Sequence, residues 1–86
     1  MPIISAFFGI IIRMYFDDHG VAHFHAEYQG EQASFDLNGQ LLAGEMKSRT
    51  ARKLIKDWAR LHRAELEANW KRAKKLVPLN QIAPLE

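Results

Sequence analysis

The side-chain period of this sequence changes once, near Ser48, from two residues to between three and four, and that change restricts the fold more than any other feature. Before it, polar and apolar residues alternate. His23, His25 and Glu27 fall on one side of an extended run and Phe24, Ala26 and Tyr28 on the other, as a strand with one buried face requires. Glu31 to Leu37 repeats the pattern, with Ala33, Phe35 and Leu37 opposite Gln32, Ser34 and Asp36. Gly9 to Phe16 is rich in β-branched and aromatic residues with a single charge, which marks a strand buried on both faces. Asp17-Asp18-His19-Gly20 and Gln29-Gly30 supply turns, and Asn38-Gly39 predicts a type I′ hairpin with both residues at positive φ. A fourth short strand, Gln40 to Ala43, ends at Gly44.

After Ser48 or Thr50, either of which can cap a helix, Ala51, Leu54, Ile55, Trp58, Leu61 and His62 recur at helical spacing. Leu66, Trp70, Ala73 and Leu76 or Val77 continue a rotated stripe, which predicts a bend or break between His62 and Ala64. Lys71, Arg72, Lys74 and Lys75 suit the negative end of the helix dipole, and Pro78 stops the helix. The expectation is an α+β fold: a four-stranded, mainly antiparallel meander packed on one face by a long, broken C-terminal helix. Residues 1–86 form one domain in this reading, with a sheet over 1–46, a helical region over 47–76 and an extended tail over 77–86.

Composition narrows the chemistry. With no cysteine among 86 residues, disulfides, thiolate catalysis and cysteine-built zinc sites are excluded. The apolar opening stretch carries Pro2 and Gly9 and has neither the length of a membrane span nor a basic leader. It reads as a strand entering the core, and a cytoplasmic protein without membrane contact is expected. Net charge is +2, but residues 1–46 hold Arg13 against six acids while residues 47–86 hold eleven Lys/Arg against four. An acidic sheet therefore meets a basic helix, and Arg49, Arg52 and Lys53 at its start are candidate residues for binding phosphates or an acidic partner. A solvated outer helix face explains the same charges. Trp58 and Trp70 read as packing anchors, and His62 as a packed histidine bonded to backbone.

Alternation also sorts side chains by face. With Ile10, Ile12, Met14 and Phe16 under the helix, the other face collects Arg13, Tyr15, His23, His25, Glu27, Ser34 and Asp36. His23 and His25 point the same way, with backbones about 7 Å apart. Three uses follow. Imidazoles with carboxylates suit a divalent first-row metal, with His19, His23 and His25 as ligands, although no cofactor is required by the sequence. One histidine as base and another as acid, with Arg13 holding phosphate and Tyr15 and Glu27 assisting, suit metal-free RNA cleavage. A structural network fixing the Asp17, Asp18 and His19 turn uses the same atoms. Those three turn residues are also candidates for closing over a bound partner. Ile11, on the polar face, predicts that this face is partly covered by Leu79 to Leu85 or by another chain, including a second copy in a homodimer.

Ile-Ser-Ala-Phe-Phe-Gly-Ile at Ile4 to Ile10, Met-Tyr-Phe-Asp-Asp-His at Met14 to His19, and His-Phe-His-Ala-Glu-Tyr at His23 to Tyr28 are joined by Leu-His-Arg-Ala-Glu-Leu at Leu61 to Leu66, Asn69-Trp70 and Ile-Ala-Pro-Leu at Ile82 to Leu85. Together these segments resemble a set of short bacterial and phage-associated proteins, the domain-of-unknown-function family four-one-six-zero. The resemblance implies a short uncharacterised partner encoded nearby, of a type that can carry a helix-turn-helix, in a suspected toxin–antitoxin module. On that analogy this chain is similar to the toxin side, acting on RNA; a non-catalytic protein-binding module and a metal-binding hydrolase are the alternatives. The family commonly has Pro-Pro before its His-Phe-His element, where this chain has Val21-Ala22, a looser connection between His19 and the two later histidines.

Overall fold

The computed structural model describes residues 2–86; Met1, at the head of the apolar opening stretch, lies outside the described residues. Five strands, β1 (Ile3–Phe7), β2 (Ile10–Arg13), β3 (His23–Tyr28), β4 (Glu31–Asp36) and β5 (Leu41–Gly44), form one antiparallel sheet in the order of the sequence. Two helices follow, α1 (Arg49–Leu61) and α2 (Arg63–Lys74). The α+β meander is as expected, but it has five strands where four were read. The additional strand comes from a reversal at Phe8-Gly9, where φ is 50° and 81°. Phenylalanine carries no turn signal, so the apolar run conceals a hairpin of the geometry that two positive φ values produce.

The Asn38-Gly39 connection also differs from the expected type I′ turn. Only Gly39 takes positive φ, at 83°. The Gly39 N–H donates to the Asp36 carbonyl at 2.9 Å and the Asp36 N–H to the Gln40 carbonyl at 2.9 Å, which makes a three-residue loop through Leu37, Asn38 and Gly39. Asp36 explains the choice: its Oδ1 accepts from the N–H groups of Asn38 and Gln40, an arrangement a two-residue turn does not offer. A Cβ at Gly39 would stand 2.6 Å from the Lys56 Cα, so glycine is also what lets this turn rest on α1.

Ser48 caps α1 by accepting from the Ala51 N–H at 3.0 Å. Ala51, Ile55, Trp58 and Ala59 then lie on the sheet. Their partners are the residues that alternation assigned inward: Ile10, Ile12, Met14, Phe24, Ala26, Ala33, Phe35 and Leu37 are all buried. Trp58 is fully buried, its ring 5.5 Å from Phe7 and 5.6 Å from Phe24. An anchor of that size contributes about 2–3 kcal/mol through apolar burial alone. Phe16, expected in the core, is exposed because β2 ends at Arg13 and the chain turns at Phe16-Asp17, with Asp17 at φ 52°.

The helix breaks at His62, inside the expected window, so the helical region is two helices and Leu61 is left exposed. His62 does not bond backbone through its ring. Its Nδ1 meets Glu65, the acidic residue in the first turn of α2, at 2.6 Å. Beyond the break, Leu66, Asn69 and Ala73 are buried. The tail then runs along β1: the Ile82 N–H donates to the Ile4 carbonyl at 2.8 Å, Gln81 to the Ile3 carbonyl at 2.7 Å, and the Trp58 indole to the Ala83 carbonyl at 2.9 Å. Ile82 is buried in the core under the helices. The tail thus guards the β1 edge and the helix side of the sheet; its hydrogen bonds do not go to the Ile11 face, where it was expected. No helix among the described residues is long and apolar enough to cross a membrane.

Candidate metal centre at the β2–β3 connection

The antiparallel register sets Arg13 opposite His25 and His25 opposite Ser34, with His23 opposite Asp36. All five therefore share the face away from α1. The connection 14–22 brings Asp18 back over this face. Its placement is held from two sides: the Asp17 N–H donates to the Ala73 carbonyl of α2 at 3.1 Å, and Lys74 Nζ donates to the Asp18 carbonyl at 2.5 Å.

So positioned, the Asp18 carboxylate is the hub of the site. Oδ2 lies 2.9 Å from His23 Nε2 and 3.1 Å from His25 Nε2, while Oδ1 accepts from the His19 N–H at 3.0 Å. Burial is the largest influence on the Asp18 carboxyl and raises its pKa. The hydrogen bond from His25, the His19 N–H, and the charge and hydrogen bond of His23 together outweigh it, and the net result is below the ordinary 3.8. Asp18 stays ionised near neutrality.

The remaining ring nitrogens constrain the protonation of the pair. His23 Nδ1 sits 2.7 Å from the Val21 carbonyl, which can only accept, so Nδ1 must carry a hydrogen. His23 Nε2 then faces a carboxylate. Satisfying that contact requires a second proton or some other cation between the two atoms. His25 Nδ1 lies 3.4 Å from Ser34 Oγ, which can donate or accept, so His25 can offer Nε2 either as a donor or as a lone pair. The ligand atoms of Asp18, His23 and His25 all lie within 4.8 Å of one another. Donors bound to one ion at about 2.0–2.2 Å in a tetrahedral array stand about 3.3–3.5 Å apart, so the Asp18–histidine distances of 2.9 and 3.1 Å would open by a few tenths of an ångström in a coordination shell.

Aromatic rings wall the cluster. Tyr15 meets His25 edge-on at 4.4 Å, and Trp70 of α2 lies 5.3 Å from His23, with Lys74 Nζ 5.4 Å from the Trp70 ring. The His23 and Asp18 side chains retain 12% and 27% of their exposure, enough to let solvent reach the donors.

Of the residues singled out in the sequence, His23, His25 and Tyr15 come together here. Arg13 and Glu27 pair with each other at 2.7 Å, beside the cluster and outside it. His19 contributes its backbone N–H; its imidazole is exposed and is not one of the three converging donors. Asp18 takes that third position. Asp17 acts through its backbone bond to α2. Arg49 opens α1 and is exposed, while Arg52 and Lys53 line a separate groove at the β5 edge. Trp70, read from the sequence as a packing anchor, is the neighbour that sequence reasoning missed. Its helical position carries no sign that α2 passes the start of β3.

Residues 9–71 match the family model described as Domain of unknown function (DUF4160), a span that includes all three donors and both helices up to Lys71. No curated protein and no solved structure matches the chain. The match covers most of the sequence, and the chain belongs to the DUF4160 family.

Proposed function

We propose that Asp18, His23 and His25 form a two-histidine, one-carboxylate divalent-metal centre, and that the protein is a metal-dependent hydrolase acting on RNA. The observation that carries this reading is His23. Its Nδ1 hydrogen is committed to the Val21 carbonyl and its Nε2 is aimed at the Asp18 carboxylate, so the site calls for a cation at the point where three donors meet. A ligating histidine ordinarily gives its second N–H to a backbone carbonyl, which is the bond His23 makes. Three protein ligands would leave a position for solvent, and a divalent ion held there would acidify bound water, to a pKa of about 7 in the case of zinc. Zinc, iron or manganese all accept such a donor set.

Charge points to the substrate class. Lys71, Arg72, Lys74 and Lys75 cluster at the end of α2, beside the connection that carries Asp18, and supply cations for phosphate contacts. Metal-free acid/base cleavage by His23 and His25 is served less well. Both imidazoles turn Nε2 to the same oxygen, and the Arg13 cation is already paired with Glu27. The toxin side of a two-protein module is the biological setting we propose, with the neighbouring small protein as its antagonist.

The test uses protein purified without a histidine tag and stripped with chelator. Restored cleavage of an RNA oligonucleotide on adding one equivalent of zinc or manganese, lost in His25→Ala, is the expected result. Cleavage that is indifferent to chelator would overturn the metal reading in favour of acid/base chemistry. If the wild-type chain, expressed alone, arrests growth and the His25→Ala chain does not, the toxin assignment gains directly.

A further inference from the structure

The two edges of the sheet are treated differently. The β1 edge is occupied by the chain's own tail, through the Ile82 N–H bond to the Ile4 carbonyl and the Gln81 amide bond to the Ile3 carbonyl. Among the described residues the β5 edge has no such cover. All four of its residues, Leu41-Leu42-Ala43-Gly44, are exposed, and Leu41 and Leu42 remain 43% and 46% accessible. Natural edge strands are blunted by short length, a bulge, a charge, a proline or a covering segment, and β5, four residues long and irregularly paired at Ser34-Phe35, has only the first two. This one has an uncharged Leu-Leu-Ala-Gly sequence, so its outward N–H and C=O groups are an open template for one more strand.

Beside that edge, between it and α1, is a groove of about 500 Å³ lined by Phe35, Gly39, Gln40, Leu41, Arg52, Lys53 and Lys56. Its polar character is cationic: one arginine and two lysines, with no carboxylate in the lining. Lys53 is paired with Asp57 at 2.9 Å. Arg52 lines the groove, and its Nε is buried without a hydrogen-bond partner among the described residues. Leu41 and Phe35 supply apolar surface for the aliphatic part of an incoming side chain.

We propose that β5 and this groove are a docking site for an extended, acidic segment of a partner protein, which adds a sixth strand to the sheet and sets a carboxylate against Arg52 and Lys56. Backbone pairing along β5 gives the affinity, and the Arg52/Lys56 wall selects acidic side chains. RNA satisfies the cations but cannot pair with strand backbone. A second copy of this chain offers a strand without charge and brings a second cationic groove toward the first, which is repulsive. An acidic strand answers both features at once.

The probe is a synthetic eight-residue peptide of alternating valine and glutamate, with an alternating valine–lysine peptide as control, titrated into isotopically labelled full-length protein. The acidic peptide should shift the amide signals of Leu41 to Gly44 and slow their exchange with solvent. Its affinity should fall about tenfold in Lys56→Glu, a difference of about 1.4 kcal/mol. Arg52→Gln is the second variant, and circular dichroism of both confirms that the fold is kept. The proposal is overturned if the two peptides act alike, or if neither protects the β5 amides. It is equally overturned if those amides respond only to an RNA oligonucleotide or only to protein concentration, which would assign the surface to RNA or to self-association.

Discussion

At the scale of single residues, the site depends on one carboxylate that accepts the His19 N–H and faces the Nε2 atoms of His23 and His25, and its titration fixes a direction for stability. The folded Asp18 carboxyl lies below its ordinary 3.8. Its contribution is therefore fully present above the unfolded value and is lost as pH falls through the lower, folded value. In metal-free protein, Asp18→Asn should lower stability at pH 7 by about 1–2 kcal/mol, since it replaces charge-assisted hydrogen bonds with neutral ones. The deficit relative to wild type should shrink as pH falls from about 4 through the lower, folded value, where wild-type Asp18 also loses its charge. Urea unfolding at pH 7 and pH 3 measures both. The facing of His23 and His25 could be read from alternation because a strand has a fixed period. Asp18 could not be promoted in that way. It lies in a connection, and its reach to the sheet depends on the Asp17 and Lys74 bonds to or from α2, more than 50 residues away in the chain.

At the scale of elements, the boundaries depend on a few backbone positions that composition conceals. The Phe8-Gly9 reversal and the Leu76 position both place bulky residues at positive φ, 50° and 59°. Leu76 closes α2 with a bond from the Val77 N–H to the Arg72 carbonyl at 2.9 Å, an arrangement in which glycine is the usual occupant. The Leu76 side chain is 66% exposed and gives little packing in return. Leu76→Gly should therefore raise stability by about 0.5–1 kcal/mol, seen as a higher midpoint in thermal unfolding. Gly39→Ala should do the reverse. The added Cβ meets the Lys56 Cα at 2.6 Å with φ at 83°, and a loss of at least about 2 kcal/mol is expected from clash and backbone strain together. The α1 cap, the inward residues of β2 to β4 and the break at His62 were legible because each has a periodic or chemical signature. The first hairpin was not, because its turn is made of a residue that ordinarily marks a strand.

At the scale of the whole molecule, the tail joins sheet and helices. Asn69, fully buried on α2, donates to the Asn80 carbonyl and accepts from the Asn80 N–H, each at 2.9 Å. Residues 77–86 are neither helix nor strand, and the edge they guard was not legible in the sequence, since a buried asparagine on a helix carries no period. Asn69→Ala leaves both Asn80 groups without a partner and should cost about 2–4 kcal/mol, with faster amide exchange at Ile82. Pinning the tail holds α2 in place, and α2 in turn holds the Asp18 connection over the sheet. The central claim is that this arrangement presents a cation site, and isothermal titration of zinc into chelator-treated, untagged protein tests it most directly. One ion per chain, bound by the wild type and lost in His25→Ala with the fold intact, is the predicted result; no saturable binding, or binding unchanged in His25→Ala, would contradict it.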